Sequence, residues 1–120
     1  MANVFLIGLE QATAAQISRA LAVERHRIEQ KSRHIGVRDS KAADIVFAGG
    51  EPSQYLALLR LVREERPSLP FVVVTHVPET AAWLDALEAG ATDYCSSPIE
   101  SRQLHWLMES ALPRYRAVTV

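Results

Sequence analysis

Four short clusters in the 120-residue chain hold the polar groups with chemical potential: Gly8-Leu9-Glu10, Gly49-Gly50-Glu51, Thr75-His76 and Cys95-Ser96-Ser97. Cys95, His76 and Ser97 are of the types used in nucleophilic catalysis, where an imidazole takes the proton of a thiol or hydroxyl that attacks. No carboxylate that would orient the imidazole is evident beside them. Glu10 and Glu51 are the only acidic side chains in the four clusters. The set is poor in catalytic groups, and no base, metal set and nucleophile can be read together as an enzyme's site.

These clusters matter because each ends an apolar run. Val4-Phe5-Leu6-Ile7 stops at Gly8, and Ile45-Val46-Phe47-Ala48 stops at Gly49-Gly50. Both read as strands buried on two faces. Phe71-Val72-Val73-Val74-Thr75 is the clearest strand, β-branched and apolar to its last residue. Tyr94 and Cys95 lie in a short final strand before Pro98, and His26 to Lys31, centred on Ile28, resembles an outer strand. Ala14, Ile17, Ala20 and Leu21 recur at helical spacing through about Val23. Pro52 and Ser53 open a second helix marked by Leu56, Leu59 and Val62 or Arg63, which ends before Pro67. Thr80 to Ala89 is predicted helical with Gly90 as its left-handed cap. Leu104, Leu107, Met108, Ala111 and Leu112 mark the inward stripe of a final helix, and residues 33–42 give a weak helix or a loop.

Short buried strands alternating with helices predict a parallel sheet covered on both faces. The expected fold class is α/β, a flavodoxin-like, doubly wound five-stranded parallel sheet built from five strand-helix units. It should form a single domain over residues 1–120, with a core from about 3 to 112 and residues 113–120 as a tail or linker stub. In such a sheet the functional crevice lies beyond the carboxyl ends of the strands, where the four clusters fall.

Composition agrees with an ordinary globular domain: 48% hydrophobic residues, 22% charged, and 13 basic against 14 acidic. The near-zero net charge supplies no general attraction to nucleic acid or anionic membranes. A single cysteine excludes an internal disulfide. No apolar run approaches the ~20 residues that span a bilayer, and the start lacks a secretory pattern, so a cytoplasmic location is expected.

Gly90-Ala91-Thr92-Asp93-Tyr94 followed by Ser97-Pro98-Ile99 resembles the last-strand signature of response-regulator receiver domains, G-A-D-D-Y-L-x-K-P-F. Residues 43–49, Ala43-Asp44-Ile45-Val46-Phe47-Ala48-Gly49, are similar to the family's P-D-L-V-L-L-D strand, and residues 69–75 to its I-P-V-I-V-L-T strand. The resemblance spans Val4 to about Leu112 and is weakest between Ala22 and Ala42. It implies a signalling module of the chemotaxis-receiver type in two-component or phosphorelay systems, and it implies which positions should carry phosphoryl chemistry. There the sequence departs from the family. Gly8 and Leu9 stand where two acidic residues help hold magnesium, Gly49 stands at the phosphoacceptor aspartate, and Ser97 stands at the lysine. Thr75 matches the switch hydroxyl and Tyr94 the switch aromatic.

Glycine offers no nucleophile for an acyl phosphate, and without the lysine the transferred charge lacks electrostatic stabilisation. The expectation is therefore a pseudo-receiver: not an enzyme, with no cofactor and no metal. Two alternatives stay open. A residual receiver could use Glu10, shifted by one residue, as an acidic ligand, with Glu51, which follows two glycines, reaching back as acceptor. A small ligand or anion could instead occupy the vacated pocket beside Thr75, His76 and Ser97. Asp44 is no substitute, lying ~17 Å from the strand end at ~3.3 Å per residue. Cys95 falls at a family position that is normally apolar and reads as a core thiol, while His76 either plugs the pocket or is solvated.

Two further features bear on partners. Arg25, Arg27, Lys31, Arg33, Arg38 and Lys41 form a local basic excess, but no aromatics interleave for base stacking. It reads as a solvated edge, and nucleic acid is not expected as a partner. Trp106 falls about 200° from Leu104 on the final helix at 100° per residue, away from the inward stripe. With Trp83 and Leu87 on the preceding helix it marks the surface through which the resemblance implies a homodimer or a protein partner.

Overall fold

The computed structural model describes residues 2–31 and 43–112. The weak segment 33–42 and the tail 113–120 lie outside the described residues. The chain runs β1 (Asn3–Ile7), α1 (Gln11–Ala22), β2 (Arg27–Lys31), β3 (Ile45–Ala48), α2 (Pro52–Glu65), β4 (Phe71–Thr75), α3 (Thr80–Glu88), β5 (Asp93–Ser96) and α4 (Ser101–Ala111). All five strands are parallel, in the order β2-β1-β3-β4-β5. This is the flavodoxin-like, doubly wound α/β architecture.

The unbroken apolar runs explain why. Alternate residues of a strand face opposite sides, so a strand apolar at every position needs cover on both. Val4, Leu6, Ile45, Phe47, Val72 and Val74 pack with Ile17 and Leu21 of α1 and Leu104, Leu107 and Met108 of α4. Phe5, Ile7, Val46, Ala48, Phe71 and Val73 point the other way, onto Tyr55, Leu59 and Val62 of α2 and Ala86 of α3. Tyr55, outside the stripe expected for its helix, is the first buried residue of α2, while Leu56 is half-buried. The outer strands are weaker in sequence because one flank meets water. β2 carries Arg27, Glu29 and Lys31, with Ile28 alone packing on the core. β5 is four residues long, with Cys95 as its one buried residue.

Polar contacts fix the connections. At the amino end of the sheet the Asn3 amide donates to the Asp44 carboxylate (2.7 Å), far from the strand ends where chemistry was expected. Gln16 of α1 donates to the Ile99 carbonyl and accepts from the Ile99 amide, tying α1 to the segment after β5. Arg63, near the end of α2, bridges two turns. Its Nε donates to Gly90 O (2.9 Å), and its Nη1 to Leu69 O (2.6 Å) and Arg66 O (3.2 Å). Burial holds this guanidinium below its ordinary value. Gly90 serves the same junction: its φ of +104° is left-handed, and a Cβ there would lie 3.1 Å from Arg63 Nε.

Among the described residues no helix is long and apolar enough to cross a membrane. The Arg63 junction yields a stability prediction. Arg63→Ala should lower the unfolding free energy by about 2 kcal/mol, since it removes charge-assisted bonds to carbonyls that stay half-buried. Arg63→Lys should recover less than half, because a single ammonium lacks the planar fork that reaches both turns. Urea denaturation of the three proteins checks both statements.

Candidate functional site

The strand order reverses between β1 and β3, and the crevice beyond their carboxyl ends is the expected binding place in such a sheet. Pairing of Ile7 with Ala48 brings Gly8 level with Gly49 just past the sheet, and the Gly49 amide donates to Ile7 O (3.0 Å). On the other side, Thr75 pairs with Ser96, and the Ser97 amide donates to Thr75 O (2.8 Å). The result is a cleft of about 640 Å³. Gly8, Leu9, Glu10, Gly49, Thr75, His76, Tyr94 and Ser97 all line it, joined by Gly50, Glu51, Tyr55 and Glu79.

Gly49 is not beside a hole. A Cβ built on it would lie 2.9 Å from Leu9 Cδ2 and 2.9 Å from Val74 O, closer than real Cβ atoms approach either. The Leu9 side chain leans over the strand end, and the backbone of β4 closes the other side. Gly8, with φ +69°, makes the turn that brings Leu9 there. Where the resemblance puts two acids and an aspartate, this chain has an apolar side chain packed against bare backbone.

The polar groups of the cleft engage one another. Glu10 Oε2 lies 2.8 Å from His76 Nε2, and His76 Nδ1 lies 2.7 Å from Ser97 Oγ. A carboxylate only accepts, so Nε2 carries a proton; in the neutral ring Nδ1 then accepts from the Ser97 hydroxyl. His76 is thus a half-exposed ring that also bridges the loops after β1, β4 and β5. The order of groups is that of a nucleophile, a base and an orienting acid. However, the amides of Ser97 and Gly49 are already bonded to carbonyls, so neither can hold an oxyanion, and His76 and Glu10 are open to water. The trio cross-links the loops.

Glu51 and Gln54 form a capping box at the start of α2, with the Glu51 amide donating to Gln54 Oε1 (3.2 Å). Thr75 Oγ1 is 3.5 Å from Val77 O, within its own turn. Tyr94 is half-buried against the core on the α2 side, and Tyr55 is held above its ordinary value by burial and then by Tyr94, Asp85 and Glu79. Three carboxylates, Glu10, Glu51 and Glu79, against one imidazole make the cleft a poor place for an anion. Among the described residues no group of three or more His, Cys, Asp or Glu could hold a metal ion.

Cys95 does not join His76 and Ser97. Its side chain enters the core on the α1 and α4 side, where burial, then Asp93, pushes the thiol up to about 12. Of the basic cluster, Arg25 and Arg27 are exposed and Lys31 lies 5.2 Å over the Phe5 ring; the other three lie outside the described residues. Trp106 is 59% exposed on α4, and Trp83 and Leu87 are 43% and 38% exposed on α3. Leu84, missed in the sequence, is 47% exposed on the same helix. It was legible as a neighbour of Trp83 on a helix with few inward positions.

This topology and its crevice define the fold of response-regulator receiver domains. Over 98% of the chain superposes on 99% of a receiver domain from Clostridium thermocellum, with a TM-score of 0.82 and 18% identity. A pilus assembly-related protein of Burkholderia pseudomallei matches 92% of the chain at a TM-score of 0.76 and 23% identity, over 89% of its own length. In sequence, 61 residues are 33% identical to the DNA-binding transcriptional regulator NtrC of Proteus hauseri. That segment is 51% of this chain but only 13% of the regulator's length. No family model matches the chain.

Two measurements follow. Gly49→Ala should cost about 1–3 kcal/mol by overpacking. Adding Leu9→Ala should restore only part, because Val74 O remains; urea midpoints decide it. Cys95 should resist a thiol reagent at pH 8 until the chain unfolds, with labelling rates that track unfolding. The linkage runs the same way. Unfolding returns the thiol from about 12 to near 9.0, so its contribution to stability is complete below pH 9 and fades as pH climbs towards 12.

Proposed function

We propose that this chain is a receiver-fold signalling module that works by contact with a protein partner or with itself and does not accept a phosphoryl group. The observation that carries the reading is Gly49: the end of β3 has no carboxylate and no space for one between Leu9 Cδ2 and Val74 O. Gly8, Leu9 and Ser97 at the other positions implied by the resemblance support it. The exposed Trp83, Leu87 and Trp106 supply the contact surface, since outward tryptophans anchor interfaces more often than they decorate monomers. Thr75 and Tyr94 border the cleft and keep the side chains of a switch, whose trigger would be binding in place of phosphorylation.

The competing reading, phosphoryl transfer to Glu51 with Glu10 as an acidic ligand, has less support, because Glu10 is paired with His76 and Glu51 caps α2. Incubation with magnesium and a small acyl phosphate, followed by intact-mass measurement, separates the two. The expected result is an unchanged mass, for the native chain and for Gly49→Asp alike. A single added phosphoryl group on the native chain would sink the proposal.

A further inference from the structure

We infer that α3 is the docking face for a basic amphipathic helix of a partner protein, an inference that rests on the reading of the chain as a contact module and names the chemistry of its partner. On α3, at 100° per residue, Trp83, Leu87 and Leu84 fall within one arc of about 100°. All three are exposed, at 43%, 38% and 47%. Glu88 lies about 40° beyond Leu84 on one side and Glu79, the N-cap, lies about 40° beyond Trp83 on the other, with Asp85 a further ~60° round from Glu88. The surrounding chain is equally one-sided: residues 67–101 contain five acidic residues and no lysine or arginine. Arg63, which reaches the end of α3, directs its N–H groups to carbonyls.

The charges on α3 work against the helix that carries them. Helix carbonyl ends favour cations, yet Asp85 and Glu88 sit in the carboxyl-terminal half and no basic residue occupies the last turn. Ala86 is the only fully buried residue of the nine. A short helix with little core anchorage and uncompensated carboxylates gains most from a cationic partner. An apolar strip with Lys or Arg on both margins would cover Trp83, Leu84 and Leu87 and neutralise Glu79, Asp85 and Glu88. Helix-in-groove recognition of this kind reads apolar anchors for affinity and flanking charge for orientation.

The probe is a designed amphipathic helix of leucine and lysine, compared with its leucine and glutamate twin. Tryptophan emission is followed in Trp106→Phe so that Trp83 reports alone. The lysine peptide should shift the emission to the blue and bind at least about tenfold more weakly in 0.5 M salt, as screened charges require. Trp83→Ala should abolish binding as read by amide chemical shifts, and Asp85→Lys with Glu88→Lys should reverse the preference towards the glutamate peptide. Equal binding of both peptides, or binding indifferent to the double reversal, overturns the inference, as does no binding at all. Self-association that shields Trp83 without peptide would assign the face to a second copy and also overturn it. That last result would leave the contact-module reading standing, whereas phosphoryl uptake would remove that reading without touching peptide binding.

Discussion

Three central strands, β1, β3 and β4, are apolar on both faces, and this constraint organises everything else. Backbone buried between two layers has to pair within the sheet, and the side chains on each face need a helix above them. The connections through α1, α2 and α3 therefore cross over the sheet, and the strand ends leave irregular backbone near water. The one place where neighbouring connections part to opposite faces is between β1 and β3, so a cleft opens there whatever residues line it. Architecture supplies the crevice. The side chains at its rim decide its use.

In this chain an apolar contact closes the rim between the ends of β1 and β3. Leu9 has turned inward over Gly49, extending the hydrophobic core to the mouth of the cleft. Glu10, His76 and Ser97 link the three loops that surround it. The loops are thus joined by side chains of the protein itself.

Much of the fold was readable because burial on two faces leaves an unmistakable run such as Phe71–Thr75. Helix ends were readable where backbone chemistry demands a residue type, as at Pro52 and Gly90. β2 was fainter because an edge strand needs only Ile28 to face the core. The pocket residues were found by locating strand ends, but their connections were not. Nothing in the spacing of Glu10, His76 and Ser97 announces a contact made by three separate loops. Cys95 looked like their neighbour because it sits two residues from Ser97. Cys95 packs into the core between the sheet and the α1 and α4 layer, whereas Ser97 lies past the end of β5 at the rim of the cleft. Arg63 was equally hidden: read as a turn marker on its helix, it reaches across to carbonyls of two later turns.

The outer margin of β5 has a consequence for how this molecule behaves in a crowded solution. A parallel sheet that ends in a short strand exposes a row of unpaired amides and carbonyls, the usual template for runaway strand pairing. Here the row is four residues long, opens with the charged Asp93 and is followed closely by Pro98, which has no amide hydrogen to offer. An invading strand would find little to zip along. The border thus discourages fibrillar growth and recruitment by strand addition.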